Sequence, residues 1–257
     1  MKNQTKFLIF SLIVVLMFAC EKEEQTYDDK TAQTFLEDVK FNSDGVVAYY
    51  PFNGDVKDYS GNDNHGTANG IEFSEDRFHK LNGACLLSGD NSYIEISNTS
   101  LLNNDTYTIC FWYRSDLSDT LNQSLLTKSD SLGNGYIIDI ANHGHYTYLS
   151  FIYKHVTDPV FSSTSLSPTS RFWSADQEQE FEFAAVSFSN SELYNYITGS
   201  YFSGFQFIFN DNNFDLNIGK GICMDLKSYK GEIDDLLIYN RMLSIEEVQA
   251  IYDWRMN

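Results

Sequence analysis

From Val46 onward the chain alternates apolar and polar residues in short runs, set apart by turns rich in Asn, Asp, Gly and Ser. Tyr93-Ile94-Glu95-Ile96 alternates, and Thr106 to Arg114 places Ile109, Phe111 and Tyr113 on one face. Phe181 to Phe188 and Leu193 to Ile197 form two further runs joined through Ser189-Asn190-Ser191, and Asn217-Ile218-Gly219 and Glu232 to Tyr239 continue the series. A period of two bounded by turn residues predicts half-buried strands. One segment has a helical period: Ser244 and Glu247 make a capping box, and Val248, Ile251 and Tyr252 then share a face. Many strands with a single terminal helix predict an all-β fold, a two-sheet antiparallel jelly-roll sandwich with a short C-terminal helix. No internal repeat or linker divides it, so residues 45–257 read as one domain.

The front of the chain has a different pattern. Lys2 and Lys6 precede an apolar run from Phe7 to Phe18, followed by Ala19-Cys20. A charged start, a short apolar stretch and a small residue before cysteine predict a lipoprotein signal over residues 1–19, with lipidation at Cys20. The apolar run is shorter than the roughly 20 residues of a membrane-spanning helix. Met17 and Phe18 depart from the usual aliphatic and small residues of such signals. Residues 20–44 are charged and polar apart from one weak helical patch at Phe35, Leu36 and Val39, and read as a tether. Flexible chain of that length has a typical reach of ~25–30 Å. Glu21-Lys22-Glu23-Glu24 after the cysteine resembles the acidic signal of surface-exposed lipoproteins, so the expected location is the outer membrane, facing the exterior.

Composition narrows the partners. The formal charge is −19, with 36 acidic against 17 basic residues. That excludes a nucleic-acid surface and a polybasic membrane patch. It leaves neutral glycans, cationic partners and divalent cations open. Aromatics reach 16% of the chain, with 20 Phe and 17 Tyr, enough for a large core. Beyond Cys20 the cysteines are Cys85, Cys110 and Cys223, with no C-x-x-C pair and no zinc spacing. Cys110 sits in an alternating strand as a small buried thiol; which pair forms a disulfide, if any, the spacing leaves open.

Two stretches say more than pattern. VVAYYPFNGDVKDYSGNDNHGT (Val46 to Thr67) and YKGEIDDLLIYNRMLSIEEVQAIY (Tyr229 to Tyr252) resemble the first and last strands of the laminin-G-like, concanavalin A-like lectin/glucanase superfamily. GACLLSGDNSYIEI, TYTICFWYRSD, FEFAAVSFSNSELYNYITG and FDLNIGKG resemble intermediate strands in order, while Ser129 to Gln179 shows no family pattern. The resemblance implies a jelly roll with its first and last strands side by side, bringing the Asp58 loop near Asp234. It does not choose among lectins, adhesive modules and glycosidases.

Four constellations bear on chemistry. In Asp58-Tyr59-Ser60-Gly61-Asn62-Asp63-Asn64-His65-Gly66, oxygen-bearing side chains recur at every second position, a composition suited to a hard cation. An unbulged strand turns Asp234 to the same side as Leu236 and Ile238, where a carboxylate needs a partner. Relatives matching here often hold structural calcium, so the resemblance supports Asp58, Asn62 and Asp234 as its ligands. The competing reading is a loop of Asx turns, with a bulge turning Asp234 outward. Glu232-Ile233-Asp234 begins like the paired-glutamate motif of retaining glycosidases, but Leu236 and Leu237 stand where the second glutamate belongs, and Glu95 lacks a partner in register. Catalysis is therefore not expected. His143 and His145 would need further ligands such as His155 or Asp139 to hold zinc.

The last constellation is aromatic. Sugars stack on aromatic rings while Asp, Asn and Arg orient their hydroxyls. Trp173, beside Arg171, and Tyr146 are the candidate ligand contacts, with Tyr148, Tyr153 and Tyr201 behind them. The expected function is a surface-tethered, non-catalytic carbohydrate-binding module braced by calcium. The alternatives are a cell-surface protein-binding adhesin or accessory subunit, and an atypical glycoside hydrolase.

Overall fold

The computed structural model describes residues 44–89, 91–116, 121–142, 146–154, 162–165, 171–172, 180–189, 192–197, 200–203, 213–222 and 226–254. In chain order the first strands are β1 (Val46–Tyr50), β2 (Thr67–Asn69), β3 (Glu72–Ser74), β4 (Ala84–Ser88), β5 (Tyr93–Ile96) and β6 (Tyr107–Ser115). Next come β7 (Gln123–Ser129), β8 (Gly135–Asn142), β9 (Tyr146–Lys154), β10 (Ser162–Ser165) and β11 (Arg171–Phe172). The rest are β12 (Glu182–Phe188), β13 (Leu193–Ile197), β14 (Ser200–Ser203), β15 (Leu216–Ile218), β16 (Lys227–Ser228) and β17 (Lys230–Tyr239).

They form two sheets. The eight-stranded sheet runs β14-β13-β12-β6-β17-β4-β3, with β1 also on β17. The nine-stranded sheet runs β10-β9-β8-β7-β15-β5-β2, with β11 on β9 and β16 on β7. The described pairings are antiparallel except the short β16–β7 pair, which is parallel. The chain ends meet as expected: Tyr49 pairs with Leu237 and Tyr50 with Leu236.

Alternation in the long strands divides their side chains between two cores. Tyr107, Ile109, Phe111 and Tyr113 of β6 join Ile94, Ile138, Phe151, Val186 and Ile238 between the sheets. Their neighbours Cys110 and Trp112 point the other way, into a second cluster with Tyr49, Phe183, Tyr196 and Leu237. The C-terminal helix, Ile245–Trp254, closes that cluster with Val248 and Ile251. Each such fully buried side chain contributes about 1.5–3 kcal/mol. Tyr252 stacks on Trp112 at 5.6 Å and 15°. The capping box is formed: Ser244 N–H donates to Glu247 Oε2 at 2.8 Å, and Glu247 N–H to Ser244 Oγ at 3.3 Å. Cys85 and Cys110 are free and buried, and burial pushes the Cys85 thiol up to about 12.

One break in alternation matters for the candidate site. Asp234 pairs with Trp112 and Leu237 with Cys110, so β17 carries one extra residue there. Asp235 takes a left-handed φ of 46°, a conformation short acidic side chains tolerate. Ile233 and Leu236 consequently face the same inter-sheet core. The inward placement of Asp234 predicted for an unbulged strand is therefore corrected: the bulge turns Asp234 and Asp235 to the helix side of the sheet.

Candidate functional site

The Asp58 loop folds against the free edge of β1. Asp58 Oδ1 accepts from Tyr49 N–H at 2.9 Å and Ser60 N–H at 2.8 Å, and Oδ2 from Ser60 Oγ at 2.9 Å and Asn64 N–H at 3.0 Å. Asn62 Nδ2 donates to the carbonyls of Val46 and Val47, and Asn64 Nδ2 to that of Val47. Tyr59 N–H donates to Tyr49 carbonyl at 2.8 Å. The every-second-residue pattern of polar side chains thus works as a substitute strand. It supplies ladder bonds that an edge strand would otherwise leave open.

Asp234 has a different partner. Arg77 donates from Nη1 to Asp234 Oδ2 and from Nη2 to Asp235 Oδ2, the latter at 2.7 Å. Its guanidinium lies between the rings of Phe78 and Trp112, 4.5 and 4.6 Å from their centroids. The side chains of Arg77, Asp234 and Asp235 are only 4–6% exposed. Tyr49 joins the two networks, its amide on Asp58 and its hydroxyl donating to Asp235 Oδ1 at 2.5 Å. The three residues expected to hold calcium have other partners in this structure: both oxygens of Asp58 accept bonds, the Asn62 amide donates, and Asp234 faces a guanidinium. This arrangement does not fit a calcium ligand set. Among the described residues, no three His, Cys, Asp or Glu side chains cluster in a way that could hold a metal.

The outer face of the nine-stranded sheet is polar toward β5 and β15 and apolar at Ile137 and Ile152, against which Leu226 packs. Register places Glu95, Asn217, Thr127, Ile137 and Ile152 in one row across β5, β15, β7, β8 and β9. Ser124, Asp139 and Ser150 form a second row. Lys220 Nζ lies 3.2 Å from Glu95 Oε2 and 4.3 Å from the ring centroid of Tyr93. Thr127 Oγ1 donates to the Lys220 carbonyl at 3.2 Å. Asn217 is buried with an unpartnered Oδ1. Asp139 accepts from Ser150 Oγ on one oxygen and has no hydrogen bond on the other. Burial outweighs that bond and pushes its carboxyl up to about 7. The accessible part of this face is the Glu95 carboxylate, the Lys220 ammonium and the Tyr93 ring, groups that can hydrogen-bond hydroxyls and stack on C–H faces, while Asn217, Thr127 and Asp139 are buried behind them.

Of the predicted ligand contacts, Tyr146 pairs with Phe172, and Arg171 with Thr147, where β11 joins the same sheet. The backbone thus brings those two strands together. Trp173 lies outside the described residues, as do Cys20, Cys223, His143, His145 and His155. Both oxygens of Glu232 accept from Arg114, so the first acid of the partial glycosidase motif sits in an ion pair.

Residues 88–249 match the family described as the Concanavalin A-like lectin/glucanases superfamily. The chain belongs to that superfamily. Within the lectin/glucanase fold it is similar to the binding domain of Paraclostridial Mosquitocidal Protein 1, with 19% identity and a TM-score of 0.66, over 84% of this chain and 53% of that one. It is also similar to domain 4 of AbnA, an extracellular arabinanase from Geobacillus stearothermophilus determined with arabinotriose; identity is 22% and the TM-score 0.56, over 79% and 96% of the two chains. The binding domain of Botulinum Neurotoxin DC in complex with SialylT aligns at 12% identity and a TM-score of 0.62, over 82% and 52%. The chain spans about half the length of these toxin domains. Among curated proteins, none matches it.

Alternation predicted the strands, and the quoted motifs their resemblance to the superfamily, but neither pointed to the polar row. Asn217, between Leu216 and Ile218, and Tyr93 and Glu95, around Ile94, were visible as outward positions; Lys220 as their partner was not.

Proposed function

We propose that this chain is a non-catalytic glycan-binding module, held at a membrane by lipid on Cys20, with its sugar site on the outer face of the nine-stranded sheet. The observation that carries the reading is the contrast between outer faces: a helix and aromatics cover one, while the other exposes Glu95, Lys220 and Tyr93 beside the buried polar side chains of Asn217 and Thr127. Aligned carboxylate, amide and ammonium groups suit the dense hydroxyls of a sugar better than a flat apolar partner. The arabinanase domain and the neurotoxin domain, both similar in fold, were determined with sugars, which supports the reading. Trp173, Arg171 and Tyr146 remain candidate contacts of the same proposal, the last two on β11 and β9, which pair in this sheet. The net charge of −19 favours neutral over anionic glycans.

A glycan array on the mature protein tests this. A reproducible sugar signal, lost in Glu95→Gln, Asn217→Ala or Trp173→Ala at unchanged melting temperature, supports it. Silence on the array with a copurifying protein replaces it with the adhesin reading, and sugar release from a polysaccharide replaces it with hydrolysis. Mass spectrometry tests the tether separately: lipid on an N-terminal Cys20 is expected, and an unmodified Met1 overturns that part.

A further inference from the structure

The helix side of the eight-stranded sheet has a groove of about 360 Å³ between β12, β13 and the start of the C-terminal helix. Tyr194, Tyr196, Met242, Leu243, Ile245 and Val248 form its apolar lining. Ile245 remains 41% exposed there, an unusual place for a large aliphatic side chain. The described chain begins beside this groove. Asp44 carbonyl accepts from Arg241 Nε at 2.8 Å, and Gly45 carbonyl from Asn240 N–H at 2.8 Å. Arg241 is followed directly by Met242 and Leu243 of the lining. Gly45 has φ +84°, and a Cβ there would lie 2.8 Å from Asn240 Oδ1, so the chain is held close as it enters.

We propose that residues 34–41 dock in this groove, with Phe35, Leu36 and Val39 as the inserted side chains. Those three, at i, i+1 and i+4, make one apolar face, with Phe41 following at the end of the stretch. The five residues from Val39 to Asp44 span at most about 18 Å, ample for a groove whose lining adjoins Arg241. Docking leaves residues 20–33 between Cys20 and the groove, a length of chain whose typical reach is about 20 Å. A further consequence, which rests on the lipid-tether reading, is orientation: the helix side faces the membrane and the polar sheet faces away. The docking itself does not depend on that reading.

Hydrogen exchange on the mature chain tests the proposal. Phe35→Ser/Leu36→Ser/Val39→Ser speeds amide exchange at residues 242–248 by roughly tenfold and leaves β6 amides unchanged. Ile245→Asp, altering the groove instead, has the same effect at residues 34–41. Leu36→Cys with Ile245→Cys forms an intramolecular disulfide in the monomer. Unchanged exchange in both variants overturns the proposal. Concentration-dependent disulfide-linked dimers overturn it in favour of a second copy of the chain as occupant.

Discussion

The outer faces of the two sheets solve opposite problems with the same alternating strands. On the eight-stranded sheet, the outward positions of β6 and β17 are Cys110, Trp112 and Leu237, which a helix covers. Its two buried carboxylates are satisfied within the chain by Arg77 and Tyr49. On the nine-stranded sheet the outward positions mix Glu95, Asn217, Thr127 and Asp139 with Ile137 and Ile152, and Asn217 and Asp139 each retain an oxygen with no hydrogen-bond partner. The first face is spent on stability; the second keeps polar capacity in reserve. Where a chain leaves buried acceptors unmet is where a ligand has something to gain.

The contrast can be broken most forcefully at Arg77. Arg77→Ala strands Asp234 and Asp235 without their cation and is expected to cost about 3–5 kcal/mol, read by urea denaturation. On the opposite face the sign reverses. Asp139 keeps its proton in the fold up to about pH 7 but in the unfolded chain only to its ordinary 3.8. Between those values the fold binds more protons, so stability falls as pH rises through the window and levels off above it. Asp139→Asn should therefore gain ~2–4 kcal/mol at pH 8 and nothing near pH 3, by denaturation at each pH. Ser244→Ala removes the helix cap and should cost about 1 kcal/mol in the same assay. Lys220→Ala, on a partly exposed ion pair, should change stability by less than about 0.5 kcal/mol. EDTA should leave the melting temperature unchanged; a clear fall would put a cation back in the Asp58 loop.

The sequence was legible wherever one face of a strand is apolar and the other is not. β5, β13 and the capped helix appear at nearly their observed limits, and the Val46 and Tyr229 segments do adjoin. It failed where both faces are buried. Tyr136-Ile137-Ile138 in β8 sends Tyr136 and Ile138 inward and Ile137 outward, so the run shows no period of two. The Asp234 position failed for a different reason, because a single extra residue reverses which side chains face the core. Arg77 gave no local signal, since its partners lie 157 and 158 residues away. The Asp58 loop was read for composition, whereas its backbone partners on β1 decide its role.

The position of β17 has one more consequence. It bonds to β1, β4 and β6, yet at Lys230–Tyr239 it comes after every other strand of its sheet. Until those residues have been synthesised, β1 has no neighbour to zip against and the eight-stranded sheet lacks its middle. Such a sheet cannot mature piecemeal as it is made; its assembly waits for β17, the last strand to join it.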